Sequence, residues 1–148
     1  MSNTISVIIP VYNEKESLEE LYSEIRAATG SFSRREVLFI DDGSTDGTTE
    51  LLQTMAEEYS EVTLIQFYRN YGKAAAIAEG FNHATGDYIV TMDADLQDDP
   101  SEINNLVGKL DEGYDLVSGW KKMRHDPLTK RWPSKFFNLV TRLVASQK

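Results

Sequence analysis

Short apolar runs alternate with longer amphipathic ones along most of this chain. The runs "ISVIIPV" (5–11), "EVLFID" (36–41), "VTLIQF" (62–67), "DYIVTMD" (87–93) and "DLVSGW" (115–120) are strand-length and rich in β-branched and aromatic residues, so five strands are predicted. Between them the spacing changes to the helical period. Over residues 14–29, Leu18, Leu21, Tyr22 and Ile25 fall on one face, and over 45–59 Leu51, Leu52, Met55 and Tyr59 do the same. An alanine-rich helix is predicted at 72–84, weakened by Gly80, and another at 100–113 with Pro near its start and Gly113 near its end. A polar, basic segment and a last helix at about 133–146 follow.

Strict alternation of strand and helix argues for an α/β domain with a mostly parallel sheet. Continuous apolar strands such as "VLFI" fit a sheet covered by helices on both faces. In such sheets ligands bind at the carboxyl ends of the strands. Three polar clusters fall at that edge: "VYNE" after the first strand, "DDGSTDGT" after the second and "DADLQDDP" after the fourth.

Composition narrows the function. The 148 residues carry a net charge of −9, which argues against a broad phosphate-tracking surface for nucleic acid. With no cysteine, disulfides and thiolate metal sites are excluded, and a reducing compartment is consistent. No stretch approaches the ~20 apolar residues of a membrane span. The first residues, "MSNTISVIIPVYNE", lack the pattern of a signal peptide.

Four aspartates, Asp93, Asp95, Asp98 and Asp99, crowd the end of the fourth strand. In extended backbone residues i and i+2 share a face, so Asp93 and Asp95 can reach one ligand. Hard divalent cations such as Mg²⁺ and Mn²⁺ take oxygen donors, often one or two carboxylates plus substrate phosphates. A solvated acidic turn is the competing reading. It is preferred for Asp98 and Asp99, because acids suit the N-terminus of the next helix. The run from Asp42 through Ser44 and Asp46 to Gly47 imitates the start of a calcium loop. Its twelfth position is Gln53 and a strand precedes it, so a strand end, glycine turn and helix start is the better reading. The glycine-rich cradles of dinucleotide and P-loop folds are absent, and neither His83 nor His125 has a Ser or Cys partner pattern for acyl transfer.

"SVIIPVYNE", "FIDDGSTDGT", "RNYGKAAAIAEGF" and "TMDADLQDDP", in this order, resemble the nucleotide-sugar domain of family 2 glycosyltransferases. The implied fold is GT-A, a Rossmann-like mostly parallel sheet with helices on both faces. "DADLQDDP" followed by "DLVSGWKKMRHDPLTKRWPSKFFN" is most similar to the polyprenyl-phosphate glycosyltransferases of the dolichyl-phosphate mannose synthase and bactoprenol glucosyltransferase group. The resemblance implies nucleotide-sugar contacts from Pro10, Tyr12, Asn13, Glu14, Ile40, Asp42, Lys73, Asp93 and Ala94. It implies metal ligation (Mg²⁺ or Mn²⁺) by Asp93, Asp95 and Gln97, catalytic roles for Asp95, Lys121 and Arg131, and acceptor-phosphate contacts from Arg131 and Ser134.

The implied reaction is inverting transfer of a hexose from a UDP- or GDP-linked donor to a polyprenyl phosphate. Such an acceptor is already anionic and needs cationic positioning more than a strong base. Seven of the 15 Lys and Arg residues lie between Lys121 and Arg142, which suits that need. Relatives of the resembled group extend further, so the chain is expected to be an N-terminal part. Residues 1–132 would form the GT-A domain and 133–148 an amphipathic helix, bearing Phe136, Phe137, Val140, Leu143 and Val144, that seeks lipid or a second copy of the chain. The expected location is cytoplasmic, with peripheral attachment to the cytoplasmic face of a membrane as the alternative. A nucleotide-sugar-binding module or fragment without turnover stays open beside the enzyme. A metal-dependent nucleotidyltransferase is a weaker option, because "VIIPVYNEKES" lacks the Gly- and Arg-rich loop it would need.

Overall fold

A computed structural model describes residues 3–119. Residues 3–117 belong to one compact unit. Four strands, β1 (Thr4–Val11), β2 (Arg34–Asp41), β3 (Val62–Gln66) and β4 (Tyr88–Thr91), form a sheet in the order β3-β2-β1-β4, parallel at every pairing. The predicted α/β class and parallel sheet are thus observed. Helices α1 (Leu18–Ala28), α2 (Thr48–Glu58), α3 (Lys73–His83) and α4 (Ile103–Asp111) connect and follow the strands, with one 3₁₀ turn, Pro100–Glu102, leading into α4.

Alternation along β1 divides the core in two. Ile5, Val7, Ile9 and Val11 pack with Leu18, Leu21, Tyr22 and Ile25 of α1, Leu52 and Met55 of α2, and Ile103 and Val107 of α4. Ile8 faces the opposite side, with Leu38, Ile40 and Ala76 of α3. The second layer is thin, and Gly80 explains how α3 lies so close to the sheet. A Cβ at Gly80 would stand 2.3 Å from Ile8 Cγ2 and 3.1 Å from Ile40 Cδ1. The glycine that weakens this helix in isolation is what lets it seat on the sheet.

The predicted fifth strand is not formed within 115–119. Leu116 is 87% exposed and Tyr114 59% exposed, so among the described residues these two side chains have no sheet edge or core to pack against. Strand propensity is chiefly a preference for such packing, and without a neighbour it has no effect. The helix expected at 133–146, together with Lys121, Arg131 and Ser134, lies outside the described residues. Among the described residues, no helix is long and apolar enough to cross a membrane.

Candidate active site

The strand order brings the polar clusters together. β1 lies between β2 and β4, so the loops after these three strands meet at the carboxyl edge, where α/β sheets bind ligands. Their side chains are tied by specific bonds. Asn13, in the left-handed conformation (φ 57°), donates its backbone N–H to Ser44 Oγ (3.0 Å) and accepts the Thr45 N–H at its Oδ1 (2.8 Å). Asparagine tolerates this backbone region better than most side chains. Glu14 N–H donates to Thr48 Oγ1 at 3.2 Å. The Ser17 hydroxyl lies 2.5 Å from the Ala94 carbonyl and 2.9 Å from that of Glu14, bridging the start of α1 to the loop after β4.

Asp41 and Asp42 diverge at the end of β2, both buried. Asp41 Oδ1 accepts the Ser44 N–H (2.9 Å) and Oδ2 accepts the Thr49 hydroxyl, closing the glycine turn onto α2. Asp42 faces the other loop. Its two carboxylate oxygens accept the N–H groups of Tyr71 (2.7 Å) and Gly72 (2.9 Å), clamping the segment that leads into α3. The turn at Gly43 (φ 79°) permits this approach, because a Cβ there would lie 2.7 Å from the Arg69 carbonyl carbon.

A cavity of about 350 Å³ results, lined by Pro10, Tyr12, Glu14, Asp42, Lys73, Asp93, Ala94 and Asp95, with Val11, Asn70 and Gly72 completing the wall. Seven of the nine residues expected at the nucleotide-sugar site therefore share one cavity with Asp95 of the expected metal set. Three others are placed differently. Ile40 is fully buried in the core beneath α3. Asn13 lines the adjoining acidic depression with Glu14, Asp46, Asp95 and Leu96. Gln97 donates its backbone N–H to Asp95 Oδ1 at 3.1 Å, closing a tight turn next to the carboxylate. Leu96, between them, holds φ 59°, a costly conformation for a branched apolar residue. Asn70 was missed by the sequence reading, although it sits in the "RNYGK" motif already singled out.

The electrostatics are strongly acidic. Burial raises the Glu14 pKa above the ordinary carboxylate value, and the nearby charges of Asp95, Asp46 and Asp93 raise it further. Lys73 offsets part of this field. Its ammonium is hydrogen-bonded to Asp93 Oδ1, in a pair that is partly exposed on both sides. Asp98 accepts the Asp93 N–H at 2.9 Å. Asp99 caps the 3₁₀ turn by accepting the Ser101 N–H at 2.9 Å, and its hydrogen bonds with Ser101 lower its pKa. The turn-and-cap reading preferred for these two aspartates agrees with their contacts.

The cavity offers only hard oxygen donors to a cation. Among the described residues no three His, Cys, Asp or Glu side chains converge as a ready cage. That donor set fits Mg²⁺ or Mn²⁺, which use few protein carboxylates and complete their shell with water and substrate phosphate.

A family model described as glycosyl transferase family 2 matches residues 6–147. The chain belongs to this family. The family 2 domain here is 48% identical over 136 residues to the undecaprenyl-phosphate 4-deoxy-4-formamido-L-arabinose transferase of Klebsiella pneumoniae, a match covering 90% of this chain and 42% of that protein. The same-named protein of Salmonella dublin is 48% identical over 138 residues, covering 92% and 42%. The chain thus spans about two-fifths of the length of these curated relatives. Among solved structures, a mannosyltransferase from Pyrobaculum calidifontis in complex with GDP-Man and Mn²⁺ matches with a TM-score of 0.56 and 33% identity, over 64% of this chain and 28% of that one. S. aureus TarS 1–349 in complex with UDP matches at TM-score 0.59 and 18% identity, over 83% and 40%, and supports the fold alone.

Proposed function

We propose that this family 2 domain is the donor-binding part of an inverting, metal-dependent glycosyltransferase that moves a sugar from a UDP- or GDP-linked donor to a polyprenyl phosphate. The observation that carries the reading is the single cavity in which Asp93 and Asp95 after β4, Glu14 after β1, and Asp42 with Lys73 meet. The names of the relatives support the lipid phosphate acceptor, and their arabinose derivative widens the donor from a hexose to a hexose or pentose unit.

Each residue has a task in this reading. Tyr12, 47% exposed at the cavity, offers a ring face to the base. Pro10 and Ala94 give close-packed walls, and Asp42 fixes the loop that carries Asn70 and Gly72. Asp93 and Asp95 would hold the divalent cation, with the Gln97 side chain as a further ligand. When bound, that ion supplies Lewis-acid neutralisation of charge on the leaving diphosphate. An acceptor phosphate oxygen forms a bond to the anomeric carbon as the bond to the diphosphate oxygen breaks, and the electron pair leaves with the nucleoside diphosphate. Lys121, Arg131 and Ser134, outside the described residues, would position the acceptor phosphate, with attachment at a membrane surface bringing the lipid within reach.

The test is calorimetric titration of the full chain with UDP, GDP and their sugars, with and without Mn²⁺, followed by a product assay with undecaprenyl phosphate. Metal-dependent nucleotide binding with lipid-linked sugar as product is expected. Binding without product would leave a donor-binding module, the second reading. Absence of binding to every nucleotide would refute both.

A further inference from the structure

Lys73 occupies an electrostatically awkward position. It is the first residue of α3, where the helix dipole disfavours a cation, and its N-terminal neighbour Gly72 holds φ 95°. The side chain is still half exposed, but its ammonium has a partner. It bonds to Asp93 Oδ1, one of the two carboxylates placed here at the metal site, while both residues line the cavity. Asp42 fixes the base of this arrangement by holding the N–H groups of Tyr71 and Gly72, so Lys73 starts from a clamped backbone.

We propose that Lys73 is a tethered counter-cation that couples metal and nucleotide binding by exchanging Asp93 for the diphosphate. The proposal rests on the donor-site reading above. With the site empty, the ammonium neutralises Asp93 and competes with any cation for it. With a divalent cation on Asp93, the ammonium is released, still anchored at the mouth of α3, and pairs with a phosphate oxygen. The metal alone therefore binds more weakly than the carboxylates would allow, and the diphosphate binds better once the metal is in place. By linkage the two ligands raise each other's affinity by one common factor, and Lys73 enlarges that factor.

A purely structural lysine would leave both affinities alone, and one that only attracts phosphate would leave the metal–nucleotide coupling without the extra factor that release from Asp93 supplies. The experiment uses the full 148-residue chain and its Lys73→Met and Lys73→Arg variants, with circular dichroism to verify folding. Mn²⁺ binding is measured by electron paramagnetic resonance without nucleotide. UDP and GDP binding is measured by calorimetry with and without Mn²⁺. Exposed ion pairs are modest, so Lys73→Met should tighten Mn²⁺ binding in the absence of nucleotide by about two- to fivefold. It should weaken binding of the nucleotide that the parent prefers and reduce the metal–nucleotide coupling factor, while Lys73→Arg restores the parent's coupling. If the parent binds Mn²⁺ and nucleotide but Lys73→Met leaves Mn²⁺ affinity unchanged or weaker, the exchange is refuted and the donor-site reading stands. If the parent binds neither, both fall together.

Discussion

The substitution Asp42→Ala separates a residue that reads nucleotide from one that builds the wall around it. Asp42 is 4% exposed, and each of its carboxylate oxygens accepts one backbone N–H, from Tyr71 and from Gly72. Hydrogen bonds to a charged group are worth about 1.5–3 kcal/mol each. Two would give about 3–6 kcal/mol, but the freed amides lie in a loop that water reaches, so a net loss of about 2–4 kcal/mol is expected. That is a large share of the roughly 5–15 kcal/mol of a typical domain. Asp42→Asn should cost nearly as much, since one oxygen becomes an NH₂ group facing an N–H donor. Urea unfolding monitored by circular dichroism gives the stability, and calorimetry with UDP and GDP gives the affinity. Both should fall together. An Asp42→Ala chain within about 0.5 kcal/mol of the parent that has nonetheless lost nucleotide affinity would refute the clamp and make Asp42 a direct nucleotide contact alone.

Other outcomes follow from the same geometry. Asp95→Asn should reduce Mn²⁺ affinity about tenfold or more while leaving the melting temperature nearly unchanged, because among the described residues its carboxylate accepts one bond, from the Gln97 N–H. Glu14 has a raised pKa, so the folded state holds its proton more tightly than the unfolded one; the associated stability is present below 4.5 and is lost as pH rises through the folded value. Glu14→Gln should accordingly raise the melting temperature at pH 7 relative to the parent, and a flat difference between pH 4 and 7 would count against the acidic cluster. Gly80→Ala should destabilise by about 1–3 kcal/mol despite alanine's better helix propensity, since the added methyl meets Ile8 Cγ2; a stabilised variant in urea unfolding would show that α3 can move off the sheet.

Much of this architecture is legible in the sequence because period and position carry it. The apolar runs mark β1 to β4 to within a few residues, and the polar clusters after three of them line the cavity. The metal-site candidates Asp93 and Asp95 stood out by spacing. What stayed hidden depends on strand order and on distance across the fold. The pairing of Lys73 with Asp93 arises because α3 packs against β1 and β2 while β4 takes the other side of β1. The Asp42 clamp joins residues 29 and 30 positions apart, and no local pattern signals it. The fifth strand failed for the converse reason: its residues have strand propensity, but propensity acts only where a neighbour is present to bury Leu116.

The place of β4 beside β1 has a consequence for the order of assembly. β1, β2 and β3 form a contiguous run of chain that can pair as it emerges, whereas β4 returns to β1 across a separation of 83 positions between Thr4 and Asp87. Loop closure over such a distance is slow, and parallel pairings of this kind raise contact order. The three-strand half, carrying Tyr12, Glu14 and Asp42, is therefore expected to precede the strand that delivers Asp93 and Asp95. During synthesis the open edge of β1 stays unpaired until residue 91 has left the ribosome, a window in which the nascent chain is most vulnerable to edge-to-edge association. Ability to hold a divalent cation would then mark the joining of β4 to β1, and its appearance in a refolding experiment would time that docking.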